Sequence, residues 1–203
     1  MQQDSSRTIT ELMAGGGLVG MLSGTVEVDE SLLGGKARGG KRGWGAANKT
    51  CLVGIVERGG RAKTTAVKER NRDVIFPLIK QNVQAGTTID TDEFKAYSTL
   101  PAEGYEHHTV NHSKYQWKNG EAHTNSIEGY WSNLKKSIRG THTFVSPKHL
   151  QKYLDEFDFR YNFRRGAIIF DEVLKRIGVN NEIDILYKTS RDGAKDSNLT
   201  NRD

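Results

Sequence analysis

Three acids in this sequence, Asp29, Asp92 and Glu128, are separated by 63 and 36 residues, yet each falls in a stretch with strong periodicity. Asp29 lies in Thr25-Val26-Glu27-Val28-Asp29-Glu30. The alternation predicts a strand with Val26, Val28 and Glu30 on one face and Thr25, Glu27 and Asp29 on the other. Two acids on that second face need a compensating cation if they are buried, and otherwise form an ordinary solvated surface. Asp92 closes a second strand, Thr87 to Asp92, where the chain turns toward a short helix. Ligands bind at strand ends in α/β sheets, and an aspartate there can equally cap a helix. Transfer of a phosphoryl group between two divalent ions requires acids from separate rigid elements, because both ions, about 3.5 to 4 Å apart, must be held with the attacking and leaving oxygens. Two strands and a helix, each carrying one acid, could supply that.

The helix is read from His123 to Lys136. Ile127, Trp131, Leu134 and Ile138 recur at helical spacing and predict a buried stripe. Asn125, Glu128, Ser132 and Lys135 form a polar stripe beside it, with Lys135 two turns beyond Glu128. A carboxylate held beside a packed tryptophan is better positioned than one on a loop. The same residues also fit a plain capping box, with Asn125 as N-cap and Glu128 reaching back to it.

Other elements must carry these acids. Thr50 to Glu57 and Arg61 to Lys68 read as strands joined by a hairpin at Arg58-Gly59-Gly60. Asn71 opens a helix over Val74, Ile75, Leu78, Ile79 and Val83, with Pro77 inside the pattern, and Gly86 stops it. Ser146-Pro147 reads as the start of a last helix carrying Leu150, Leu154, Phe157 and Tyr161 on one face. The order of elements predicts a mixed α/β layer. Residues 1–24 read as a linker or the remnant of an upstream segment, 25–177 as one catalytic-sized domain, and 178–203 as a polar, disordered tail.

The 30 Lys and Arg against 25 Asp and Glu give a net charge of +5, which suits a polyanionic partner without requiring one. The loop from Gly34 to Gly45 places Lys36, Arg38, Lys41 and Arg42 among glycines with Trp44. Such a loop can follow a phosphate backbone and stack a base, or can be a mobile hairpin with solvated charges. It matches no phosphate-cradling glycine motif. His107, His108, His112 and His123 fit no closed zinc pattern, and their expected roles are DNA contact or local hydrogen bonds. Arg160, Arg164 and Arg165 can grip phosphates or end the last helix favourably. The single Cys51 excludes an internal disulfide and reads as a small buried hydrophobe in a reducing compartment. No stretch approaches the length of a membrane span and no signal peptide is evident, so a soluble, cytoplasmic protein is expected.

An ordered set of motifs carries a family resemblance: Val26-Glu27-Val28-Asp29-Glu30 with Gly34-Gly35-Lys36, Thr91-Asp92 with Tyr97, Val110-Asn111-His112-Ser113, His123 through Trp131, and His149 through Phe157 with Arg160-Tyr161-Asn162. Together, over residues 25–165, the chain resembles the catalytic domain of DDE transposases of bacterial insertion sequences, the group related to Merlin elements. The resemblance implies a ribonuclease H-like fold, a mixed sheet flanked by helices. It implies two Mg²⁺ or Mn²⁺ ions and cut-and-paste transposition of double-stranded DNA, with cleavage at transposon ends and strand transfer into a target. It also implies a homo-oligomer assembled on DNA at the bacterial nucleoid. Asp29, Asp92 and Glu128 would be the catalytic, metal-binding acids, and Lys135 the basic residue that meets a phosphate. Asn125 is the alternative third residue, since the group uses Asn as well as Glu. A carboxylate suits a hard cation better, which ranks Glu128 first. Lys36, Arg38, Lys41, Arg42, Trp44, Lys135, Lys136 and Arg139 are the expected DNA contacts. A resolvase-like nuclease of the same fold, or an inactive DNA-binding remnant, are the competing readings.

Overall fold

The computed structural model describes residues 13, 17, 20–34, 49–110, 123–141, 145–165 and 169. The expected contacts Lys36, Arg38, Lys41, Arg42 and Trp44, with His112 and the tail from 178, lie outside the described residues.

Strand β1 (Thr25–Gly34) is the centre of a five-stranded sheet. On one side it pairs antiparallel with β2 (Lys49–Glu57), which pairs antiparallel with β3 (Ala62–Val67). On the other it runs parallel to β4 (Thr88–Thr91), and β4 runs parallel to β5 (Glu106–Thr109). The spatial order is therefore β3-β2-β1-β4-β5. The predicted hairpin turns at Gly59, whose φ of 71° lies in the left-handed region that a side chain resists. Strand β5 was not foreseen: Glu106-His107-His108-Thr109 has no apolar alternation and is largely exposed. A parallel edge strand is held by backbone pairing, here helped by a hydrogen bond between Thr91 Oγ1 and His107 Nε2 at 2.9 Å.

Alternation sorts the core into two layers. Val26 and Val28 of β1, Val53 and Ile55 of β2 and Ile89 of β4 pack under helix α1 (Arg72–Asn82), through Ile75 and Ile79. Leu52 and Val56 face the other way, under helices α2 (Asn125–Thr141) and α3 (Leu150–Asn162). Helix α1 starts where the sequence predicts, with Asn71 Oδ1 accepting the Val74 N–H at 3.0 Å, and it runs through Pro77 without ending. Helix α3 begins at Leu150, later than Ser146-Pro147 suggests, because that pair instead forms the turn closed by His149 N–H to the Ser146 carbonyl. Arg164 donates to the carbonyls of Tyr161 and Gly60, so it ties the end of α3 to the hairpin. Leu22 is fully buried and bridges to Val83, so the core begins ahead of residue 25. Among the described residues no helix is long and apolar enough to cross a membrane.

Candidate active site

The registers of β1 explain why carboxylates gather. Pairing with β4 ends at Val28↔Thr91, whereas β1 continues to Gly34. Asp29 and Glu30 therefore lie beyond the end of β4, and Asp92, the next residue after it, enters the space beside them. This is also where the chain, having placed β2 on one side of β1, places β4 on the other, the topological position at which open α/β sheets bind ligands. Carboxylate oxygens of Asp29, Glu30 and Asp92 lie within 4.8 Å of one another, a spacing that could hold a metal ion. Three carboxylates form the hard, anionic donor set that suits Mg²⁺ or Mn²⁺.

Each acid is held by different partners. Asp29 faces α2, and its Oδ2 accepts the indole N–H of Trp131 at 3.0 Å. Burial pushes its carboxyl up to about 6, and the neighbouring Glu30 and Asp92 charges add to that push. Hydrogen bonds from the Glu30 backbone and Trp131 oppose it. Glu30 points to the opposite face, where the Tyr97 hydroxyl donates at 2.6 Å and Arg70 Nε donates at 2.9 Å. Burial raises its carboxyl from the usual range against these contacts. Asp92 Oδ1 accepts the Phe94 N–H at 3.0 Å, so it closes the turn into the Lys95–Tyr97 3₁₀ segment while keeping its place in the acid group. Arg70 reaches Asp92 as well, at 3.5 Å, and its guanidinium stacks on Phe94 at 3.6 Å.

Helix α2 is anchored by a second buried network. Glu27, fully buried on the Asp29 face, accepts the Ile127 N–H through Oε2 at 2.9 Å. A carboxylate there satisfies one of the unpaired amides of the first turn and opposes the helix dipole. Arg58, from the hairpin, binds Glu27 at 3.2 Å, the buried Asp90 at 2.6 Å and the His123 carbonyl at 3.1 Å. One guanidinium thus joins β1, β4 and the entrance to α2. His123 N–H also donates to Asp90 at 3.2 Å.

With its start so fixed, α2 buries Ile127, Trp131, Leu134 and Ile138, as the spacing predicts. Trp131 lies over Gly54, the residue of β2 opposite Asp29, where any Cβ would come within 2.6 Å of the indole. Glu128 and Lys135 stand three before and four after Trp131, on its flank of the helix. Lys135 is held below its usual range by burial and by Arg139, with the Asp29 charge working in the other direction. Glu128 is exposed and accepts the Thr124 hydroxyl at 3.2 Å; it stands outside the group of three acids. Asn125 is the first residue of α2 and exposed, and Lys136 and Arg139 lie exposed further along it. The cap falls one residue earlier than Asn125, since the Thr124 carbonyl accepts the Glu128 N–H at 3.1 Å.

The structure thus joins Asp29 to Asp92, as their positions suggested, and adds Glu30, Arg70, Tyr97 and Arg58, which sequence reading missed. Only the adjacency of Glu30 to Asp29 hinted at the first of these. Strand alternation placed Glu30 on the other face, correctly, but the end of β4 lets both faces reach one space. Cys51 is buried, and burial pushes its thiol up to about 11, which disfavours the thiolate.

A β3-β2-β1-β4-β5 sheet, antiparallel on one side of β1 and parallel on the other, with helices on both faces and acids at the end of β4, defines a ribonuclease H-like domain. The sequence model of the ISXO2-like transposase domain matches residues 21–162. The chain belongs to that family. It is also 25% identical over 99 residues to an uncharacterized transposase-like protein of Haemophilus influenzae (strain ATCC 51907 / DSM 11121 / KW20 / Rd), covering 49% of this chain and 79% of that protein. Among solved structures it is similar to the HTLV-2 integrase catalytic core domain in complex with magnesium (TM-score 0.43, 15% identity, 70% of this chain and 87% of that one). It is similar too to the BIV integrase catalytic core (TM-score 0.46, 15% identity, 75% and 95%). A third likeness is to the Mos1 strand transfer complex (TM-score 0.38, 15% identity, 76% and 55%). The assignment rests on the family match and not on these structural likenesses.

Proposed function

We propose that this domain is the metal-dependent DNA phosphoryl-transfer centre of an insertion-sequence transposase, cutting at the element's ends and joining the freed 3′ end to a target duplex. The observation that carries the reading is the group of Asp29, Glu30 and Asp92 within 4.8 Å at the open end of β1, in a chain of a transposase family. Two Mg²⁺ or Mn²⁺ ions bound there would supply an activated water and charge for the leaving oxygen. Asp29 and Asp92 are the principal ligands, since Glu30 is held by Tyr97 at 2.6 Å and Arg70 at 2.9 Å, whereas Arg70 reaches Asp92 only at 3.5 Å. Trp131 orients the Asp29 carboxylate from one side. Glu128, on the flank of Trp131, completes the acid set, and Lys135 presents a point charge to a neighbouring phosphate. Lys136 and Arg139 extend that cationic face of α2 along the duplex, and the Lys36–Trp44 loop contributes further DNA contacts. The protein works as a homo-oligomer on DNA at the nucleoid.

The test is nicking and integration on a plasmid carrying the genomic flanks of the coding sequence, with Mn²⁺ or Mg²⁺. Asp29→Ala, Asp92→Ala and Glu128→Ala each abolish cleavage while leaving the circular dichroism spectrum unchanged. Normal cutting by Glu128→Ala together with loss in Asn125→Ala would reassign the third residue. Cleavage without any joined target product would favour the resolvase-like reading.

A further inference from the structure

Beside the acids a cleft of about 760 Å³ opens between the ends of β2 and β3 and the turn after β4, and the proposed function leaves it unused. Its rim carries Lys49, Lys68 and Arg70, and Leu32, Val67 and Phe94 supply apolar surface. Continuity with the acid group is direct, because Arg70 lines the cleft and also binds Glu30 and Asp92. Leu32 is two residues along β1 from Glu30, in the part of the strand that runs past β4.

Two features decide what such a cleft can hold. Among the described residues neither Lys49 nor Lys68 makes an ion pair, whereas Arg70 beside them is paired with Glu30 and Asp92. An anion is therefore favoured at the rim. The lining also includes the apolar Leu32, Ala66, Val67 and Phe94, and the Arg70 guanidinium lies over the Phe94 ring at 3.6 Å, a flat cation–aromatic surface. A paired duplex would offer a concavity only its charged backbone. A nucleotide that has left the stack offers a phosphate to the rim and an apolar base to the interior, and bases pack well against aromatic and guanidinium planes.

The geometry points to this cleft as the seat of an unpaired nucleotide of the DNA strand whose phosphodiester lies over Asp29, Glu30 and Asp92. The inference rests on the proposed DNA chemistry for the identity of the strand. It assigns Lys49 and Lys68 to phosphates flanking the extruded base.

Fluorescence anisotropy with hexathymidylate, and with an abasic hexamer of the same phosphates, tests it across roughly 50 to 200 mM salt. The wild-type protein binds hexathymidylate about tenfold more tightly than the abasic probe, the amount expected when one base is packed. The Lys49→Ala/Lys68→Ala variant binds hexathymidylate more weakly, with a log–log salt slope smaller by about 1.4, the loss of two single-strand phosphate contacts. Equal binding of the two probes, a double variant with an unchanged slope, or no binding of hexathymidylate by the wild type each overturns the proposal. The two readings fail separately. Plasmid cleavage that survives Asp29→Ala defeats the catalytic assignment and leaves the cleft standing, whereas cleavage lost in Asp29→Ala with hexathymidylate binding indifferent to Lys49 and Lys68 defeats the cleft alone.

Discussion

Gly54→Ala is a one-carbon change that reaches the acids only through Trp131. The added Cβ would lie 2.6 Å from Trp131 Cζ2, 2.8 Å from Cη2 and 3.4 Å from Ile127 Cδ1, so the indole must move. The ring cannot retreat freely, because Tyr130 packs against it at 5.4 Å between centroids. Overpacking of this kind costs about 1 to 3 kcal/mol. For a chain of this size that lowers the melting temperature by roughly 2 to 12 °C. Displacing the indole also withdraws its N–H from Asp29, now 3.0 Å away, so divalent-ion stabilisation of the fold and the plasmid-nicking rate fall together. Trp131→Phe separates the two effects, since it removes the N–H without overfilling the space. It lowers nicking through the lost N–H, while its loss of melting temperature comes from the space the smaller ring leaves and not from a clash. Thermal melting with and without Mn²⁺, beside nicking assays, reads all of these. A Gly54→Ala protein that melts within about a degree of wild type would refute the packing of Trp131 over β2 and the positioning role built on it.

Asp158 gives a pH prediction. It is fully buried, and its carboxyl, raised mainly by burial from 3.8 to about 7, is hydrogen-bonded by Tyr130 and Thr64. Because the folded value lies above the unfolded one, this group's stabilising contribution is full below about pH 4 and is lost as pH rises to about 7. At about 1.4 kcal/mol per pH unit the loss is at most about 4 kcal/mol. Asp158→Asn should gain on wild type steadily across that window in urea unfolding, and a pH-independent difference would refute the assignment. Arg58→Ala should be severe. It leaves the carboxyl groups of Glu27 and Asp90 buried without their shared cation, a loss of about 3 to 5 kcal/mol, and it loosens the start of α2 by removing the contact to the His123 carbonyl. Melting reads the first effect, and loss of protection at the Ile127 amide in hydrogen exchange reads the second.

The two halves of the site differ in how far they could be read in advance. Strand β1, the helix of Ile127 and Trp131, and the Asn71 cap were legible because each is a local pattern: alternation, helical spacing, a side chain reaching three residues along. Asp29 and Asp92 were legible as candidates because each sits at a marked place in such an element. The edge strand β5 left no trace, since its order comes from backbone pairing to β4 and not from its side chains. The same limit hid Arg58, whose role depends on a hairpin, two strands and a helix entrance converging.

Sequence alone therefore determined the elements other than β5 and which of their faces carry acid, because periodicity and capping act within a few residues. Tertiary structure decided which acids share a space. Glu30 and Asp29 point to opposite faces of one strand, and only the early end of β4, set by its register against β1, lets both meet Asp92. Register is a property of two chain segments at once, so no single stretch records it.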